Sequence, residues 1–162
     1  MITGVRSLPF SIDWLPDGPM LITSGQTLLR MAPDGSLETH VDLRDLSQHG
    51  WNEIVVDGRG NAYVNNICFD FMSGAEFAPG IIALVTPDGS VRQVADGIAF
   101  PNGMVVTPDN STLIVAESFA GRLPRSTSQP TAACRTGACG PIWARVATGS
   151  ASTPREPSGP PR

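Results

Sequence analysis

Short apolar runs separated by clusters of Gly, Asp, Asn and Pro carry the chain from its start to Leu123. The runs are "PMLITSG", "TLLRMAP", "LETHVDL", "EIVVDGRGNAYVNN", "IIALVTP", "VRQVADG", "GMVVTPD" and "TLIVAES". Each is rich in β-branched residues and bounded by turn residues, the composition of a β-strand. No stretch before Leu123 combines a helical period with a cap and enough length for a helix.

The punctuation is periodic. "PDG" recurs at Pro16, Pro33 and Pro87, with "DGRG" from Asp57 and "PDN" from Pro108. Proline presets the first turn position, and Gly or Asn accepts the positive φ that follows. "DWLPDGPMLITSGQTLLRMAPDGSLETHVDL" reads strand, turn, strand, strand, turn, strand. The same order returns in "NEIVVDGRGNAYVNN…GIIALVTPDGSVRQVADG", with an insertion from Ile67 to Pro79, and begins a third time in "NGMVVTPDNSTLIVAESFAGRL". Four strands per unit at a spacing of roughly 40–50 residues predict a β-propeller rather than a sandwich of independent hairpins. The expected fold is all-β: a partial six-bladed propeller of about two and a half blades over 1–123. From Pro124 the chain turns rich in Pro, Ser, Thr, Ala, Gly and Arg, and Ile142, Trp143 and Val146 show no period. Such a segment buries too little to offset its ordering entropy, so 124–162 is expected to be a disordered tail.

Charge removes some function classes. A net charge of −4 gives no electrostatic case for nucleic acid or an anionic membrane surface. No apolar run approaches the ~20 residues of a membrane helix, and "MITGVRSLPF" lacks the apolar centre of a signal peptide. The cytoplasm is the expected location. Cys134 and Cys139 form a C-x4-C pair with no second Cys or His pair to complete a zinc site, and Cys68 reads as a small buried hydrophobe.

In a propeller, the strand nearest the axis opens with residues that face the central channel. "WNEIVVD" and "PNGMVVTPD" put Asn52 and Asn102 at that equivalent point. An Asn oxygen joined by carboxylates can hold a hard divalent cation, but capping a turn is the commoner use of Asn, and spacing alone favours it. Asn65 and Asn66 end the next strand, where their amides either reach the channel or start the insertion. Asp70 and Glu76 read as solvated loop carboxylates, and Glu117 as either inward-facing or salt-bridged. His40 and His49 lack the partners of a triad, and "GRGNA" is a turn rather than a phosphate loop, since no helix follows it.

The combination N-x-x-x-V-D-x-x-G, F-P-N-G-M…T-P-D and L-I-V-A-E-S, over about Leu8 to Leu123, resembles the gluconolactonase, regucalcin and luciferin-regenerating enzyme family. The resemblance implies a six-bladed propeller that hydrolyses a small-molecule sugar lactone with one divalent metal (Ca, Zn, Mn or Mg) in its channel. It implies three protein ligands: a Glu of an earlier blade, the Asn of P-N-G, and an Asp of a later P-D-G that also serves as general base. Asn102 matches the Asn ligand. Asn52 matches a channel Asn that contacts substrate or sits beside the metal, and Asn66 matches a position that contacts substrate. The E-G-P-type motif of the Glu ligand is not in this chain, and the general-base Asp, expected after residue 123, has no P-D-G in the tail. The resemblance therefore also admits a non-catalytic remnant that lacks two of three ligands and self-associates through exposed blade edges.

After "AGRL" the family pattern continues T-A-F-D-I. GC-rich codons for that run, entered one base late, read Pro-Arg-Ser-Thr-Ser, which is 124–128. A frameshift origin for the tail is the expectation, and it is tested by reading the nucleotide sequence in the alternative frame.

Overall fold

The computed structural model describes residues 9–119 and the strand Ile142–Ala147. The first sheet is a meander of β1 (Ile12–Trp14), β2 (Met20–Ser24), β3 (Thr27–Met31) and β4 (Leu37–Asp42). The second repeats it with β5 (Trp51–Val56), β6 (Ala62–Asn66), β7 (Gly80–Val85) and β8 (Val91–Ile98). Every neighbouring pair in both sheets is antiparallel. The third sheet has β9 (Pro101–Val106) and β10 (Thr112–Glu117) antiparallel, with β11 (Ile142–Ala147) on the far side of β10. The first strands of the three sheets lie together, β5 against both β1 and β9. This is the arrangement of successive propeller blades, and the chain is a partial β-propeller.

The punctuation seen in the sequence builds the hairpins. In the turn after β3, Gly35 donates its N–H to the Ala32 carbonyl at 2.9 Å, and Ala32 donates to Ser36 at 2.9 Å. The same pair of bonds closes Leu15–Pro19, Asp57–Asn61 and Thr86–Ser90. Gly35 has φ +83° and Gly89 +82°, while Asn110, which replaces the glycine in "PDN", has φ +55°. A type I turn closed by a left-handed residue matches the right-handed twist of the flanking strands. Asp34, Asp57, Asp88 and Asp109 each accept from the N–H two positions on, as Asp34 does from Ser36 at 2.9 Å.

Side-chain hydrogen bonds hold three of the turn carboxylates below their ordinary range. The Ser36 hydroxyl does so for Asp34, the Thr86 hydroxyl for Asp88, and the Thr107 hydroxyl, then Ser111, brings Asp109 to about 2. A depressed folded pKa gives stability that is fully present above the unfolded value of about 4 and is lost as pH falls through the folded one. The melting temperature should therefore fall as pH is lowered from about 4 to 2, and Asp109→Asn should reduce that slope. Unchanged melting across this window in circular dichroism scans would disprove the contribution.

The middle blade is buried on both faces because the pleat sends alternate residues to opposite sides. Ala62, Val64, Ala83 and Val85 join Leu21 and Leu28 in a core between the first and second sheets. Tyr63, Ile82 and Leu84 join Leu113 and Val115 in a second core, between the second and third sheets. The outer faces are less covered: Ile12 and Trp14 on β1 and Val105 on β9 are exposed.

The sequence reading ends the β pattern at Leu123, whereas the structure adds β11, which contains the Ile142, Trp143 and Val146 that show no period. Thr112 aligns with Ile142 and Glu117 with Ala147 in a parallel ladder. A blade meander continues antiparallel, so β11 caps the free edge of β10 without extending the repeat. Pairing supplies partners for β10 backbone groups that an open edge leaves exposed. The expectation of disorder for the rest of 124–162, and Cys134 and Cys139 with it, falls outside the described residues.

Candidate functional site at the channel end of the blades

Five turns occupy one end of the blades. The opposite end gathers the start of β5, the end of β6, the start of β9 and the end of β10, and with them Asn52, Asn65, Asn102 and Glu117. Hydrogen bonds across the blade boundary fix this end. Asn52 Nδ2 donates to the Pro101 carbonyl at 3.5 Å, and Asn65 Nδ2 donates to the Asn102 carbonyl at 2.7 Å. The backbone of the P-N-G motif is thereby held by two amides of the preceding blade. Gly80 brings β7 so close that a Cβ built there would lie 2.5 Å from the Asn66 carbonyl oxygen and against the Pro101 ring.

Asn102 itself is exposed, and its Nδ2 donates to the Ser118 hydroxyl at 3.4 Å. That bond engages the amide nitrogen, while Oδ1 is an acceptor with no hydrogen-bond donor among the described residues. Asn65 is fully buried, and its Oδ1 also has no partner. Unpartnered buried acceptors are rare in folded proteins and mark sites of function or bound solvent.

Asn66 is placed differently from its neighbour. Its Nδ2 donates to the His49 carbonyl at 2.9 Å and its Oδ1 accepts from the Cys68 N–H at 2.8 Å. Both ends of the amide are engaged by backbone, which secures the sharp entry to the insertion, where Cys68 has φ +61°. Burial pushes the Cys68 thiol up, in keeping with a small hydrophobe packed against the core.

Glu117 is 5 % exposed, and one carboxylate oxygen accepts the Ala99 N–H at 2.6 Å. It is a buried carboxylate at the end of β10, beside the site. Glu53, next to Asn52 on β5, accepts a hydrogen bond from the Ser11 hydroxyl at 3.0 Å. Asp70 and Glu76 are exposed in the insertion, as the sequence reading has them. Above the site the insertion packs phenylalanines edge to face, with Phe71 5.2 Å from Phe100 and Phe69 5.6 Å from Phe77. Phe100 takes φ +59°, a costly conformation for a bulky side chain, and its ring lies 4.6 Å from that of Phe119.

Hard divalent cations take about six to eight oxygens, usually including carboxylates. The described end offers the neutral oxygens of Asn102 and Asn65, and no three of His, Cys, Asp and Glu gather among the described residues. Residues 9–119 do not by themselves fit a divalent cation site. Sequence reasoning missed Ser118, which orients Asn102, and Gly80, which sets the backbone spacing beneath it.

Two solved structures share the fold. One is a gluconolactonase from Xanthomonas campestris, 21% identical, with a TM-score of 0.53 over 65% of this chain and 39% of that one. The other is a luciferin-regenerating enzyme, 18% identical, with a TM-score of 0.53 over 65% of this chain and 38% of that one. The chain thus spans about two fifths of the structures it matches. A comparison with curated protein sequences gives no match. The model of the SMP-30/Gluconolactonase/LRE-like region matches residues 7–133, most of the chain, and the protein belongs to that family.

Proposed function

We propose that the function is hydrolysis of a small sugar lactone in the cytoplasm, at the channel end of the blades. The observation that carries this reading, beside family membership, is the state of Asn102: its backbone carbonyl is held by Asn65, its amide nitrogen bonds Ser118, and its Oδ1 has no donor among the described residues. Lactone hydrolysis adds water to the ring carbonyl and breaks the ring C–O bond, giving a carboxylate and an alcohol. In this proposal Asn102 would give one oxygen to a divalent cation (Ca, Zn, Mn or Mg), and the chemistry such an ion would supply is Lewis-acid polarisation of the lactone carbonyl. Asn52 borders the substrate from β5. Asn66 sets the insertion that closes over it. The remaining ligands and the general-base carboxylate have to come from outside residues 9–119.

A second reading, a non-catalytic remnant, is favoured by a separate observation. The parallel pairing of β11 with β10 departs from the blade meander, as a tail of frameshift origin would. The exposed Ile12, Trp14 and Val105 on the outer faces then favour self-association.

Calorimetric titration of the whole chain with Ca²⁺, Zn²⁺ and Mn²⁺, run beside a gluconolactone assay, separates the two. The lactonase reading expects saturable binding with turnover, and a loss of about tenfold or more in metal affinity in Asn102→Ala. No heat and no turnover in a sample that sediments as an oligomer would leave the remnant reading standing.

A further inference from the structure

At the turn end of the blades, opposite the site above, a cleft of ≈ 320 Å³ opens between the first and second sheets. Five separate segments line it: Pro16 and Asp17 from the β1–β2 turn, Arg30 from β3, His40 from β4, Gly58–Gly60 from the β5–β6 turn, and Pro87 from the β7–β8 turn. Its floor is closed where three turns meet. A Cβ on Gly60 would lie 3.4 Å from the Pro87 ring and 3.8 Å from the Pro16 ring. The volume is at the low end for ligand sites, so a small molecule fits and a large one does not.

The charges around the cleft are unevenly satisfied. Arg30 reaches Asp17 with one terminal nitrogen, Nη2 to Oδ2, at 3.6 Å, in a pair that is largely open to solvent. Arg30 Nε is buried and has no acceptor among the described residues. A guanidinium N–H removed from water without a partner costs more than a neutral donor does, and a bound acceptor would remove that cost. Glu38, opposite Arg30 in the strand register, is exposed and forms no ion pair with it among the described residues. Asp57, at the base of the β5–β6 turn, spends its carboxylate on the Arg59 and Asn61 N–H groups, both at 2.9 Å. Arg59 also lines the cleft, and no acidic partner for it is found among the described residues.

We propose that this cleft is a binding site for a small oxyanion of the phosphate class, held by Arg30, Arg59 and His40. Guanidinium groups present planar, fixed donors that match such oxygens, and His40 adds a third donor when protonated. The site is independent of the lactone reading, since none of its residues belongs to the channel end.

His40 reports occupancy. Burial, then the charge of Arg30, hold its imidazole below the ordinary value in the empty cleft. A dianion beside it offsets Arg30 and favours the protonated ring. The chain has two histidines, and His49 lies in the loop between β4 and β5, outside the cleft, so the second imidazole is an internal control.

The test is an NMR titration of both imidazoles in the full chain, with inorganic phosphate, with methyl phosphate, and with sodium chloride at matched ionic strength. The His40 midpoint should rise by about one pH unit in phosphate, with no matching change at His49. Arg30→Gln and Arg59→Gln should each weaken the response about tenfold, and Arg92→Gln, exposed on β8, should not. A response to methyl phosphate equal to that for phosphate identifies the ligand as a phosphorylated small molecule; a response to phosphate alone identifies the free ion. An equal response to chloride, or phosphate binding undiminished in both cleft variants when circular dichroism shows them folded, would overturn the proposal.

Discussion

Replacing Gly80 by alanine is expected to destabilise the protein by about 3 kcal/mol, a large loss for one methyl group. The added Cβ would meet the Pro101 ring and the Asn66 carbonyl oxygen at 2.5 Å, and neither is the end of a flexible side chain. Pro101 is held by Asn52, and Asn66 by His49 and Cys68, so relief requires β7 to part from both. The displacement falls on the residue before Asn102. Gly80→Ala should therefore lower the urea midpoint of unfolding and, in the folded fraction, weaken any ligand binding at the channel end. A urea midpoint within error of the parent would refute the close-approach argument.

Trp51→Ala is expected to cost about 4 kcal/mol, by loss of burial and by the cavity left behind. Trp51 is fully buried in the core between the first two blades, and its backbone N–H donates to the Gly25 carbonyl at 2.8 Å. It thus joins the blades through both side chain and backbone. Its indole Nε1 is buried without a partner among the described residues, which costs about 1–3 kcal/mol. Trp51→Phe removes that orphan donor and keeps most of the apolar volume, so its cost should be well under half that of alanine. Urea unfolding of both variants decides this; equal losses would show that the indole N–H carries no penalty.

The hairpins were legible in the sequence because their causes are local. In four of the five turns a proline and a residue that accepts positive φ lie within four positions, and the β5–β6 turn is made by Asp57 and Gly60 without a proline. Even the substitution of Asn110 for glycine was readable, since Asn tolerates the left-handed region. The channel end was only half legible. Asn52 and Asn102 stand at equivalent places in two blades, so periodicity placed them at one end. Whether an amide is spent or offered was not readable. Asn65 and Asn66 are adjacent and chemically identical, yet the pleat sends one toward β9 with its oxygen unpartnered and the other to the entry of the insertion. That difference depends on where His49 and Asn102 arrive from distant sequence.

The turn-end cleft lay further from view. Arg30, His40 and Arg59 belong to no motif, and "GRGNA" reads only as a turn. They converge because β3, β4 and the β5–β6 turn belong to neighbouring blades whose packing is set by the core behind them.

The sequence by itself thus determined the strands before Leu123, the turns, the repeat and the family, all of which rest on interactions within a few residues or on a fixed spacing between them. The tertiary structure alone decided which amides are engaged, how near β7 comes to the P-N-G motif, and where unpaired cationic groups meet. Those properties depend on distances between side chains from different blades, and such distances are set only when the blades pack.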